Sequence, residues 1–322
     1  MSNAPLHLVL GAGQIGPLVA QRLLARGLRV RIARRSAAPS RLAGVETVTL
    51  DVRDPAAVAK AAEGAAVVYH CVNPLYHQWP ELLLPMTRGI VEGTARARAR
   101  LVALDNLYMY GDTACMNEAT KVAPVSKKGA LRAEAARAML EADARGDLAV
   151  AIGRAADFFG PGATNTGAFG DRFFARVLAG KSGECLGDPD MPHAYSYTPD
   201  VADGLVALGT RPLPAGGHAR GVWMLPVQPA ESTRAVIGRF AAALGRPIGV
   251  STVPGWLLRA MGLFSPMIRE VVEMTYQFRQ PFVVDDAKIR AAFGLAPTPW
   301  DEAIGATAAW AQATYGAGRA AA

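Results

Sequence analysis

The sequence predicts an α/β fold: a Rossmann-type, doubly wound parallel sheet with a smaller, mostly C-terminal substrate-binding α/β region. Two observations predict it. Apolar runs rich in strand formers alternate with helical periods through the first half of the chain. The first run delivers the backbone into Gly11-Ala12-Gly13-Gln14-Ile15-Gly16, a G-x-G-x-x-G turn that opens directly into an amphipathic helix carrying Leu18, Val19, Leu23 and Leu24.

The strands read in order as Leu6–Leu10, Leu28–Ala33, Val45–Leu50, Ala66–Val72, Leu101–Leu104 and Leu148–Ile152, each apolar enough to be buried on both faces. Between them lie helical periods over Gln14–Arg26, Pro55–Glu63, Glu81–Arg98 and Lys128–Arg145. This rhythm predicts a nucleotide-binding unit over residues 1–160. Beyond about Gly160 the pattern becomes irregular and richer in Pro and Gly. Residues 161–322 are expected to form a substrate-binding region partly interleaved with the sheet. Short strands are expected near Ser196 and over Val222–Leu225, with helices near Asp200–Leu208, Ser232–Leu244, Ile268–Phe278 and Asp301–Tyr315.

Each part of the glycine turn has a physical purpose. Gly11 permits a tight turn, Gly13 lets a pyrophosphate approach the backbone, and Gly16 allows close helix–strand packing. The N–H groups of Gln14, Ile15 and Gly16 and the helix N-terminus then offer positive potential to the anion. The second strand ends in Arg34-Arg35-Ser36, where a site for the unphosphorylated dinucleotide usually carries Asp or Glu for the ribose 2′-hydroxyl. No acidic residue precedes Glu46. Two guanidiniums and a hydroxyl suit a 2′-phosphate, so the expected cofactor is NADP(H).

Composition narrows the rest. Of 322 residues 51% are hydrophobic and 19% charged, which supports a sizeable core and excludes disorder. The formal charge is +7, yet no RNP-like sequence, zinc spacing or aromatic-interleaved basic stripe accompanies it, so no nucleic-acid partner is expected. Cys71, Cys115 and Cys185 are widely spaced, which argues against a disulfide framework or a structural metal and fits a reducing, cytoplasmic setting. The first strand begins too early to leave room for a signal peptide. No apolar run is long enough to span a membrane; Val253–Ile268 comes nearest but is divided by Pro254, Arg259 and Pro266.

Further landmarks carry a family resemblance. Tyr108-Met109-Tyr110-Gly111-Asp112, Arg154 with Phe158-Phe159-Gly160-Pro161-Gly162, and Tyr197-Thr198-Pro199-Asp200-Val201-Ala202 follow in order over nearly the whole chain. With them the sequence resembles an extended short-chain dehydrogenase/reductase of the epimerase/dehydratase-like superfamily. The resemblance implies a bound nicotinamide nucleotide, with Asp51-Val52 at the adenine, Asn73 near the nicotinamide half, and Arg154 among the cofactor contacts. It also exposes departures. The glycine loop is one residue shorter than G-x-x-G-x-x-G. The family's catalytic Ser/Thr position falls on Asn106. By the same alignment Lys128 replaces the Tyr of Y-x-x-x-K, and Arg132 replaces its Lys. These are traits of atypical members lacking the usual pair.

Lys128 and Arg132 lie one helical turn apart on one face. A neighbouring cation and partial burial would make the Lys128 ammonium a readier proton donor, and a charged Lys128 would stabilise a developing alkoxide. The alternatives are a cofactor-ribose contact or a solvated helix charge. Tyr108 and His77 are the other candidate donors. Tyr76, His77 and Trp79 follow the turn at the carboxyl end of the fourth strand, where open α/β sheets bind ligands. Asp157, His193 and Tyr195 are further candidate substrate contacts, with Tyr195 also suited to aromatic packing.

The expected function is an NADP(H)-dependent oxidoreductase or isomerase acting on a small carbonyl or alcohol compound. A non-catalytic NADP(H)-sensing regulator and a structural nucleotide-binding subunit docking through Trp256–Phe264 stay open, as does a homodimer.

Overall fold

Residues with aliphatic and β-branched side chains on both faces form strands that must be covered on both sides, and the chain supplies helices for each. A computed structural model describes residues 4–37, 42–164, 168–253, 255–264, 269–270 and 272–316. The central sheet has seven strands: β1 Leu6–Leu10, β2 Arg29–Arg34, β3 Val45–Thr49, β4 Ala65–His70, β5 Arg100–Asp105, β6 Val150–Arg154 and β7 Gly221–Met224. All pair in parallel, in the order β7-β6-β5-β4-β1-β2-β3. All five residues of β1 and of β6 are buried.

Helices α1 (Gly16–Leu24), α2 (Pro55–Ala61), α3 (Trp79–Arg96), α4 (Lys127–Ala144), α5 (Asp171–Leu178) and α6 (Thr198–Thr210) follow in chain order. Val19 and Leu23 of α1 pack with Val201, Leu205 and Leu208 of α6 in the core on one face of the sheet. Val58 of α2, Met86 and Ile90 of α3, and Ala136 and Met139 of α4 fill the other face. The sheet therefore takes β7 and α6 from beyond residue 160.

Further helices are α7 (Thr233–Ala243), α8 (Gly255–Phe264), α9 (Ala287–Phe293) and α10 (Trp300–Tyr315). A third core of Phe159, Phe169, Phe173, Phe174, Tyr195, Phe240 and Trp300 joins α5, α7 and α10 to two short parallel strands, Asp157–Phe159 and Tyr195–Tyr197.

Boundaries differ from expectation in ways that local chemistry explains. Helix α3 starts at Trp79 because Pro80 fits its first turn, where no N–H partner is needed. Strand β6 runs on to Arg154, whose partner Asp105 on β5 holds it in register. In the expected helix over Ile268–Phe278, Thr275–Phe278 is a 3-10 turn, and Ile268 lies outside the described residues. Pro254 and Pro266 also lie outside them. Among the described residues no helix is long and apolar enough to cross a membrane, and no His/Cys/Asp/Glu group could hold a metal.

Candidate active site

Strands β1 and β4 are neighbours, but the chain leaves them in opposite directions across the sheet. This is the switch point where open α/β sheets leave a crevice at their carboxyl ends. The glycine turn sits there. Gly11 adopts φ +106°, and its N–H donates to the Ala33 carbonyl at 2.9 Å. A Cβ on Gly16 would lie 1.9 Å from the Gly11 carbonyl oxygen, so helix and strand approach as only glycine allows. A Cβ on Gly13 would meet nothing within 4 Å, leaving open space above the turn. The α1 N-terminus carries no side-chain cap, so its N–H groups face that space. This cradle fits a pyrophosphate. Ile15 turns inward to the core, and the Gln14 carboxamide oxygen accepts the Thr164 N–H at 2.9 Å, tying the loop after β6 to the turn.

At the tip of β2, Arg34 is half-buried and Arg35 and Ser36 are exposed. Glu46, the first acid in the chain, is drawn away by Arg31, whose Nε lies 2.9 Å from its carboxylate. Asp51 is held by Arg53, with Nε 2.9 Å from Oδ2, and this hydrogen bond keeps its carboxyl below the usual range. Val52 is part of the core beneath α2 and α3.

Charged side chains converge beyond β4 and β5. Arg132 donates to Asn73 Oδ1 at 2.6 Å, lies 3.5 Å from Asp105 Oδ1, and stacks 4.3 Å from the Trp79 ring centroid. Arg154 lies 3.3 Å from the other Asp105 oxygen and donates to the Tyr110 hydroxyl. Tyr110 is thus a wall of the network.

Lys128, one turn before Arg132, meets a different set of partners. Its side chain is only 3% exposed, and its ammonium meets two carboxylates, Glu270 and Glu273, the latter at 2.7 Å. Its backbone N–H also donates to Glu273, at 3.2 Å. Burial pushes the Glu273 carboxyl up, but the Lys128 contacts outweigh it and hold the group below its ordinary range. The ammonium is thus a buried ion-pair partner of two carboxylates.

The hydroxyls in the site belong to tyrosines. Tyr76 and Tyr108 stand 2.6 Å apart, oxygen to oxygen, and the Tyr276 hydroxyl reaches the Tyr108 carbonyl at 3.4 Å. Trp79 lies along Tyr108, with ring centroids 6.2 Å apart. Asn106 makes a local turn, its Oδ1 accepting the Tyr108 N–H at 3.2 Å. Burial holds the Tyr108 hydroxyl protonated well above its usual range, and the nearby Tyr76 and Asp157 add to that. Burial raises Tyr76 likewise.

Asp157 and His193 form a pair, Oδ2 to Nε2, at 2.9 Å. Tyr195 is fully buried, with its hydroxyl 2.7 Å from the Thr233 hydroxyl, and so belongs to the aromatic core and not to an open cleft. His77 is exposed and takes no part in the bonded group around Lys128 and Arg132.

The residues not anticipated are Asp105, Glu270, Glu273 and Tyr276. Glu270 and Glu273 carried one usable signal, two carboxylates at the i,i+3 spacing of a single helix face. All three cysteines are free; burial pushes the Cys71 thiol beside Gly11 up to about 12.

A family model for the NAD dependent epimerase/dehydratase family matches residues 7–218. No curated protein matches the chain. Among solved structures, dTDP-glucose 4,6-dehydratase from Bacillus anthracis in complex with NAD is 15% identical, with TM-score 0.77 over 96% of this chain and 97% of that one. UDP-glucose 4-epimerase from Thermus thermophilus, a complex with NAD, is 20% identical, with TM-score 0.72 over 95% and 99%. UDP-glucuronic acid 4-epimerase from Bacillus cereus, complexed with UDP-glucuronic acid and NAD, is 16% identical, with TM-score 0.77 over 96% and 100%. At these identities the likeness is one of fold.

Proposed function

The chain belongs to the NAD dependent epimerase/dehydratase family, and from that premise we propose that it is an NADP(H)-dependent oxidoreductase acting on a small ketone or related carbonyl compound. The observation that carries the chemistry is the Tyr76–Tyr108 hydroxyl pair at the carboxyl ends of β4 and β5. Both phenols are kept protonated, so they are suited to hydrogen-bond a carbonyl oxygen and to give a proton to the alkoxide formed as hydride arrives. Burial keeps both hydroxyls in the acid form near neutral pH, the form needed to hydrogen-bond a carbonyl oxygen.

The nicotinamide nucleotide would be held by the backbone of Gly11–Gly16, with Arg132 and Asn73 beside its nicotinamide half, and it supplies the hydride. Arg34 and Arg35, with Glu46 and Asp51 both engaged elsewhere, support a 2′-phosphate. Nucleotide sugars, which the structural neighbours bind or act on, carry a diphosphate that calls for cations. Lys128, Arg132 and Arg154 are already paired with the chain's own acids, which favours an uncharged substrate.

Two measurements test this reading. NADPH oxidation followed at 340 nm across a panel of small ketones should find turnover, and Tyr108→Phe should lower it about 100-fold. No hydride transfer with any compound would leave the nucleotide-sensing reading instead. Calorimetry should find NADPH at least about tenfold tighter than NADH, about 1.4 kcal/mol, with Arg34→Asp narrowing or reversing the preference. Equal affinities would overturn the NADP(H) assignment.

A further inference from the structure

Asp157 has two oxygens in different circumstances. Oδ2 is 2.9 Å from His193 Nε2, while among the described residues Oδ1 accepts no hydrogen bond. The carboxylate is 17% exposed and the imidazole only 2%. The histidine cannot swing toward a ligand. Its ring lies flat between Phe278, 4.6 Å away at 6°, and Phe282, 4.8 Å away at 14°. What it can do is turn one N–H to the carboxylate and hold it still. Asp157 itself opens the short strand that follows β6 at the carboxyl end of the sheet, and its charge is felt by Tyr76, Tyr108 and Tyr276.

A base held by a third group, with one oxygen free and an acid nearby, is the arrangement that proton abstraction from carbon needs. We propose that Asp157 is a second proton-transfer residue of this site, positioned by His193, which removes a proton from the carbon next to the substrate carbonyl. The proposal rests on the ketone reading given above. In the step, the C–H bond breaks and its proton goes to Asp157 Oδ1. The electron pair forms the carbon–carbon double bond, and the carbonyl oxygen takes the Tyr108 proton to give an enol. Reversal returns a proton to the carbon, and after exchange at Asp157 that proton comes from solvent. No oxidant or reductant is consumed.

The test uses the full-length protein with NADP⁺ in deuterated buffer and three hydroxyketones: hydroxyacetone, acetoin and 2-hydroxycyclohexanone. Proton NMR follows loss of the α-hydrogen signal, and NADPH oxidation with the same compounds is followed separately. Wild-type protein should catalyse exchange with at least one compound that it also reduces. Asp157→Asn should lower exchange about 100-fold or more. His193→Phe, which keeps a flat ring and loses the donor, should lower it about tenfold or more, and His193→Gln, which keeps an N–H, should restore part of it. NADPH affinity, a property of the glycine turn, reports that each variant is folded. Hydride transfer without exchange would overturn the proposal and leave the ketone reading standing. Exchange undiminished in Asp157→Asn would overturn it as well, and absence of both reactions would remove the reading on which it rests.

Discussion

Gly13→Val should leave a folded protein that no longer binds NADPH. The added side chain meets no protein atom, since even an ideal Cβ finds nothing within 4 Å, so the fold loses little. It does fill the space where a pyrophosphate must come within hydrogen-bonding distance of the backbone. Losing two charge-assisted hydrogen bonds at about 1.5–3 kcal/mol each would weaken binding by roughly 1000-fold. Circular dichroism should match the wild type, while the thermal shift given by NADPH disappears. Retention of that shift would show that the nucleotide binds elsewhere. Gly16→Ala is the contrasting case. Its Cβ collides with the Gly11 carbonyl, so it should disturb the packing of α1 on β1 as well as the cradle.

Lys128→Met should destabilise the protein by about 3 kcal/mol, the lower end of the cost of removing one partner from a buried ion pair. The lower end applies because Glu270 and Glu273 are 26% and 23% exposed and keep part of their hydration. The pH dependence identifies the cause. The Glu273 carboxyl is held below its ordinary range in the folded protein, so its stabilising contribution is present above about pH 4.3 and is lost as pH falls through the folded value. The gap between variant and wild type in urea midpoint should therefore be widest near neutrality, begin to narrow only below about pH 4.3 and close as pH falls through the lower folded value. Adding Glu270→Gln and Glu273→Gln should recover much of the loss. A gap that stays constant with pH would trace the loss to packing of the lysine stem.

These two sites also mark how far the chain could be read unaided. The glycine turn, the strands and the helix that follows it were legible because every element of that signal lies within a few residues. The tips of β4 and β5 were legible by position, which is why Asn73, Tyr76, Trp79, Asn106 and Tyr108 stand in one group. The partners of Lys128 were not. Glu270 and Glu273 are 142 and 145 residues away, and no local pattern records which carboxylate a buried ammonium will meet. Asp157 and His193 were each visible as candidates, but their pairing depends on Phe278 and Phe282, which clamp the ring from another part of the chain. Tyr195 shows the converse. His193, two residues before it, reaches Asp157, yet the aromatic core buries the Tyr195 side chain.

The last strand of the sheet has a consequence for how the protein is made. A ribosome delivers β6 roughly 70 residues before β7, an interval of about 4–14 s at ordinary synthesis rates. Through that interval β6, apolar up to its closing Arg154, has an unpaired edge, and the α1 face of the sheet still lacks α6. Such an edge is a template for pairing with another chain. A nascent polypeptide halted between Arg154 and Met224 should therefore be the species most in need of a chaperone, and synonymous codons that speed translation through this stretch should raise the yield of soluble protein.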